Sequence, residues 1–291
     1  MANIHPDTLP LRSSASRPSH AARLVMRCRR LAHHLGLLGR WWLKPHVPFQ
    51  PLFVIATPRS GSNLLIDYLN RLPGVQSHWE ILNWGLPIAP SRRASTREAL
   101  QHIRYSLHTL EAPIRGCKIF LDHLANYRLT LDDLDAAFPQ AKYIILYRQS
   151  LIEQFASLEL ARMTKQWSLT EGQQPVRAPI FMEPAALRKY CDHVRRGYQD
   201  LLANRWLAER AVLVSYEELT RDPERWLAGE ICRLLEVPPT RCETNLKKQN
   251  PQPLAERIAN FSEIAALAAS PLCKQYYAWP RQSQAGMRRA A

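Results

Sequence analysis

Apolar residues fill the chain from Phe53 to Ala56, give way to the polar loop Thr57-Pro-Arg-Ser-Gly-Ser-Asn63, and resume at Leu64 and Leu65. This pattern predicts a strand that feeds through a tight loop into a helix over about Asn63 to Leu72. Pro73-Gly74 breaks that helix, and Val75 to His78 predicts a short second strand. A right-handed crossover lays the two strands parallel, so both end at one edge of the sheet and Glu80 falls just beyond it. Ser95-Thr-Arg-Glu98 has the form of a capping box and predicts a helix to about Leu110. Gly116 to Leu121 and Tyr143 to Tyr147 predict two more strands, the latter apolar enough for an interior place, with a helix between them over Leu131 to Phe138. A helix over Leu151 to about Met163 follows, and Thr164 to Pro184, with no period, reads as a long surface loop. Leu187, Cys191, Val194, Tyr198 and Leu201 mark one face of a helix ending near Arg210. Ala211 to Ser215 predicts a fifth strand, and Asp222-Pro223 opens a helix through about Leu235. The alternation implies an α/β fold, a P-loop-like three-layer sandwich with a mainly parallel central sheet.

The first fifty residues follow another pattern. The opening to Pro18 is rich in Pro and Ser and predicts disorder. From Ala21 to Leu43, Leu24, Cys28, Leu31, Leu35, Leu38 and Trp42 recur at helical spacing beside a basic stripe of Arg23, Arg27, Arg30 and His34. Two destinations fit this basic amphipathic helix: its apolar stripe packs on the domain that follows, or it lies against an anionic membrane surface. An organelle transit peptide, also Arg-rich and poor in acids, is a third. No apolar run approaches the roughly 18 residues that a spanning helix needs, and nothing matches a secretory leader. The chain thus divides into a basic arm (1–50), a main domain (51–278) and a basic tail (279–291).

With 291 residues, 46% of them hydrophobic, the chain has enough apolar material for one full core. Its net charge of +14 fits either nucleic acid or membrane, or anionic small molecules. The six cysteines, Cys28, Cys117, Cys191, Cys232, Cys242 and Cys273, form no C-x-x-C pair and no zinc spacing. They read as reduced, mainly buried thiols, which points to the cytoplasm. No carboxylate cluster suggests a metal.

The loop after the first strand has the makings of an anion cradle, with a glycine-containing turn running into the positive end of a helix. It is not a nucleoside triphosphate loop, because no Lys-[ST] pair follows the glycine. Arg59 precedes Gly61 by two positions, and Ser60, Ser62 and Asn63 supply further donors. The order Pro, basic, Ser, Gly, Ser resembles the 5′-phosphosulfate loop of the sulfotransferases. Further along, Tyr147-Arg-Gln-Ser-Leu-Ile-Glu-Gln-Phe-Ala-Ser157 is similar to the family's 3′-phosphate site, which implies Arg148 and Ser157 as its anchors. A guanidinium fork suits phosphate oxygens. Val214-Ser-Tyr-Glu-Glu-Leu219 is similar to the segment whose tyrosine lies by the adenine, implying that role for Tyr216. Lys247 and Lys248 lie in a stretch that resembles the closing loop of bacterial carbohydrate sulfotransferases, where basic residues approach the 3′-phosphate. The resemblance spans about Leu52 to Phe261. It implies 3′-phosphoadenosine 5′-phosphosulfate as donor and a hydroxyl of a sugar, glycolipid or oligosaccharide as acceptor.

Gly116-Cys-Lys-Ile-Phe120 is similar to the strand in which cytosolic sulfotransferases carry a Lys and then a catalytic His. Lys118 matches the first, but Phe120 stands where the His would be. Sulfuryl transfer still needs a base for the acceptor proton. Bacterial sulfotransferases of the nodulation-factor and glycolipid type place a Glu after the second strand, which implies Glu80, with His78 and His123 as substitutes. Arg59 and Lys118 would stabilise charge on the leaving phosphate. Two other functions remain open at this point: a kinase-like phosphotransferase using the same loop, and a nucleic-acid-binding protein using the basic arm.

Overall fold

Alternate residues of the first strand serve opposite sides of one sheet. Phe53 and Ile55 join Tyr143, Ile145 and the helical Ile103, Tyr198 and Leu187 on one face, while Leu52, Val54 and Ala56 meet Ile144, Leu146, Leu65 and Leu69 on the other. Such alternation is the period of a strand covered on both faces, and it produces the expected three layers. In this computed structural model the described residues are 19–167, 174–176, 178–241, 244, 246 and 252–279. Five strands, β1 (Gln50–Ala56), β2 (Val75–His78), β3 (Ile114–Phe120), β4 (Lys142–Tyr147) and β5 (Ala211–Ser215), lie in the order β2-β3-β1-β4-β5, and every pairing is parallel. β1 is the central strand, with β4 beside it. The carboxyl ends of β1, β2 and β3 therefore share one edge, where α/β sheets place ligands.

The helices follow the expected positions with a few differences. After α1 (His20–Leu43) come α2 (Ser62–Leu69), α3 (Thr96–His108), α4 (Leu121–Tyr127), α5 (Leu131–Ala137), α6 (Leu151–Thr164) and α7 (Pro184–Leu202). Helix α3 begins with the expected box, Ser95 N donating to Glu98 Oε2 at 2.7 Å and Glu98 N to Ser95 Oγ at 3.3 Å. Helix α4 has no expected counterpart: it starts directly after β3, without a turn residue to announce it. The helix expected to run to Arg210 is two pieces, α7 and Leu207–Arg210. Asn204 marks the break, its side-chain amide donating to the carbonyls of Asp200 and Leu201. Asp222 does cap the last expected helix, accepting from Arg225 N at 3.0 Å, but Glu224–Ile231 is wound as a π-helix before Cys232–Leu235 turns α. In the expected surface loop, Ile180 bridges to Ile258.

Helix α1 does pack on the domain, but by another face than the one considered. Its apolar stripe does not pack on the domain. The docked face carries His33, Leu37 and Trp41 instead, with Leu37 buried and Trp41 against Tyr105 and His108 of α3 (5.0 and 4.9 Å). His33 lies 6.0 Å from His102, and His46, just past the helix, stacks on His108 at 4.7 Å. Arg30 donates to the carbonyl of Trp84, and Lys44 pairs with Glu111. Leu24, Leu31, Leu35 and Trp42 are left outside.

Candidate functional site

The loop leaving β1 is held in an unusual shape. Arg59 (φ 65°) and Gly61 (φ 89°) are both left-handed, a conformation costing about 1–2 kcal/mol for a residue with a Cβ. Gly61 has a second reason to be glycine: an added Cβ would lie 2.3 Å from Cδ2 of Tyr216. From below, Gln154 of α6 donates to Thr57 Oγ1 and to the carbonyl of Pro58, both at 2.7 Å. Tyr198 of α7 lies within 3.2 Å of Thr57 and donates to the carbonyl of Leu146. Neither brace was anticipated from sequence. The loop ends at Gly61, so the first-turn amides of α2, which have no intrahelical partner, open at the sheet edge. Ser60 Oγ is buried in this loop with no hydrogen-bond partner.

Lys118 comes off β3, in register with Val54, and is fully buried. Its Nζ donates to Asn63 Oδ1 at 2.6 Å and pairs with Glu80 Oε1 at 3.0 Å, lying 5.0 Å from the Phe120 ring. Asn83 Nδ2 donates to the other Glu80 oxygen at 2.8 Å. Burial works to raise the pKa of Glu80, but the Lys118 charge and the hydrogen bonds from Lys118 and Asn83 outweigh it, and the group stays below the ordinary carboxylate range. Burial also lowers the pKa of Lys118, against the pull of Glu80. The ion pair thus joins the loop to the carboxylate beyond β2.

Of the substitutes for Glu80, His78 is turned away, its Nε2 within 2.9 Å of the Ser106 carbonyl and 3.1 Å of Thr109 Oγ1. His123 feels the charge of Glu80, yet burial pushes its pKa down to about 4 and its Nδ1 accepts from Phe120 N at 3.3 Å.

A second cluster gathers Arg59, Arg148 and Ser157. Arg59 Nε donates to Ser157 Oγ at 3.0 Å, and Arg148 Nη1 donates to the carbonyl of Arg59 at 3.3 Å. The Arg148 guanidinium lies over the Tyr216 ring at 5.0 Å and pairs with Glu153 (3.5 Å) and Glu217 (3.8 Å). Burial, then the neighbouring Arg148 charge, lowers the Arg59 pKa to about 10, with the charge of Glu80 opposing them. Arg257, another residue sequence reasoning missed, is buried and also meets Glu153. The structure therefore brings Arg59, Ser60, Gly61, Ser62, Asn63, Glu80, Lys118, Arg148, Ser157 and Tyr216 to one edge of the sheet. Lys247 and Lys248 lie outside the described residues.

Residues 88–241, just over half of the chain, match the pattern of the sulfotransferase family. The chain belongs to the sulfotransferase family. Nodulation protein H of Rhizobium meliloti (strain 1021) is 29% identical to this sulfotransferase over 229 residues, covering 75% of this chain and 91% of that protein. Nodulation protein H of Rhizobium tropici is 28% identical over 238 residues, covering 77% and 92%. Among solved structures, a sulfotransferase from Alicyclobacillus acidocaldarius superposes with a TM-score of 0.44 at 16% identity, over 77% of this chain and 92% of that one. Among the described residues of this sulfotransferase, no group of three or more His, Cys, Asp or Glu converges as a metal site. Its described cysteines carry free thiols, and all but Cys28 are buried.

Proposed function

We propose that this sulfotransferase takes its sulfuryl group from 3′-phosphoadenosine 5′-phosphosulfate and passes it, in the cytoplasm, to a hydroxyl of a carbohydrate, a glycolipid or a related acceptor. The single observation that carries the reading is the position of Lys118, in contact with both Asn63 of the anion loop and Glu80. The 5′-phosphosulfate would take the loop, held by the α2 amides and the orphaned Ser60 hydroxyl, which supplies a donor with nothing yet to donate to. Arg148 and Ser157 would hold the 3′-phosphate, with Tyr216 at the adenine and Lys247 and Lys248 as further cations. Arg59 is turned to Ser157, which favours a donor-binding role over one at the leaving group.

The acceptor oxygen attacks sulfur in line, the bond from sulfur to the bridging phosphate oxygen breaks, and the acceptor proton passes to Glu80. Already ionised, Glu80 is ready to accept it. Lys118 and the helix amides meet the charge that grows on the departing 5′-phosphate. The products are a sulfate ester and adenosine 3′,5′-bisphosphate. Calorimetric titration with adenosine 3′,5′-bisphosphate, followed by a screen of labelled donor against sugar and lipid acceptors, tests the reading. We expect binding of the bisphosphate without added metal and label in a hydroxyl acceptor. Preference for ATP with magnesium would overturn it.

A further inference from the structure

The outward face of α1 is a surface without a partner among the described residues. Leu24, Val25, Leu31, Leu35, Trp42 and Leu43 are each at least half exposed, the last two at 80% and 87%. At about 100° per residue these positions fall on one continuous arc, opposite the docked His33, Leu37 and Trp41, and the residues between them on that arc are Ala21, Cys28, Ala32 and Gly39. An arginine borders the arc on each side, Arg27 along one edge and Arg29 along the other, while the exposed Arg40 and Arg23 lie farther round, near the azimuths of His33 and Trp41. The helix contains no acid at all.

This is the layout of a helix that lies in the plane of a bilayer, with its apolar face among the acyl chains and flanking guanidinium groups at the phosphates. Trp42 occupies the end of the helix, and tryptophan prefers the level of the headgroups. We infer that α1 docks this protein onto an anionic lipid surface through the arc from Leu24 to Leu43. Other occupants are poorly matched in charge. A second copy would bring like-charged arginines together. The terminal segments 1–18 and 280–291 carry five arginines and a single acid, Asp7, so they too would meet the arc with like charge. No helix among the described residues is long and apolar enough to cross a membrane, so the contact would be peripheral. Arg30, on the inner flank, donates to the carbonyl of Trp84, in the loop that also carries Glu80. Docking would therefore hold that loop about one helix diameter from the bilayer.

The test is co-sedimentation of the full chain with vesicles of equimolar phosphatidylglycerol and phosphatidylcholine, and with phosphatidylcholine alone. We expect binding to the anionic vesicles that weakens as salt rises. Replacing Leu31→Glu and Leu35→Glu together should cut it at least about tenfold, and Arg27→Ala about fivefold. Both leucines are exposed, so an unchanged melting temperature verifies that the double variant is folded. Arg233→Ala, an exposed charge away from α1, should bind as the parent does. Equal loss in the Arg233→Ala variant, unchanged binding in the double leucine variant, or no binding to anionic vesicles would each overturn the inference. So would a dimer, seen by light scattering, that fails to bind vesicles and that Leu35→Glu dissociates.

Discussion

At the scale of single residues, the proposed chemistry turns on Lys118 and Glu80, whose charges shift each other's pKa. Glu80→Gln keeps the shape and removes the proton acceptor, so turnover should fall by about 10² or more while the donor still binds, read by steady-state kinetics beside calorimetry. Lys118→Met acts in a different way. Removing the ammonium takes away the largest influence opposing the burial of Glu80 and leaves mainly the Asn83 hydrogen bond, so its pKa should rise. Because the base works only when ionised, the acid limb of the kcat/KM profile should move to higher pH, and a profile that stays in place would detach Glu80 from catalysis. Arg148→Ala addresses the donor. The apparent KM for the donor should increase by about tenfold or more, with the acceptor KM little changed, as expected for a charge-assisted contact. Arg148, Ser157 and the loop residues were legible as a motif, since each follows its strand at a short, fixed offset. Gln154 and Tyr198 were not, because their partner Thr57 lies 97 and 141 positions away and nothing local marks either side chain for that task.

At the scale of elements, the loop between β1 and α2 holds two left-handed residues within three positions. Gly61→Ala combines a left-handed φ with a Cβ placed against the Tyr216 ring. The variant should lose about 1–2 kcal/mol from the backbone alone and more from the clash, seen as a lowered melting temperature together with weakened bisphosphate binding. Adding Tyr216→Ala should recover the clash and leave the backbone cost, so the two substitutions will not be additive. Strands β1 and β4 were readable because burial on both faces writes continuous apolar runs, and α3 because its cap is local. Helix α1 was readable as a helix but not as to which side docks. Periodicity marks the apolar stripe, yet the domain takes the side bearing His33, Leu37 and Trp41, whose aromatic edges fit Tyr105 and His108.

At the scale of the whole molecule, the seam between α1 and α3 makes attachment of the arm depend on acidity. Burial, then the charge of His33, lowers the His102 pKa to about 4, with His34 and His78 adding to the effect and a hydrogen bond to the Ile81 backbone opposing it. His33 and His108 are lowered as well, first by burial and then by His34 and His46 respectively, with His78 and Arg40 facing the former and Arg115 and Lys44 the latter. The folded state keeps these groups neutral where the unfolded chain, at an ordinary pKa near 6.5, takes up protons. Stability should therefore be highest above about pH 6.5 and decline as pH falls toward about 4. A melting series across that window should show the loss, and His102→Gln should flatten it. The five strands and the residues gathered at their edge all lie between Gln50 and Tyr216, while α1 reaches the domain chiefly through α3 and the Trp84 loop. On the inference that α1 meets lipid, address and chemistry occupy consecutive stretches of the chain. On the same inference, a new outward face on α1, with His33, Leu37 and Trp41 kept, would send the reaction to another surface without redrawing the sheet that performs it.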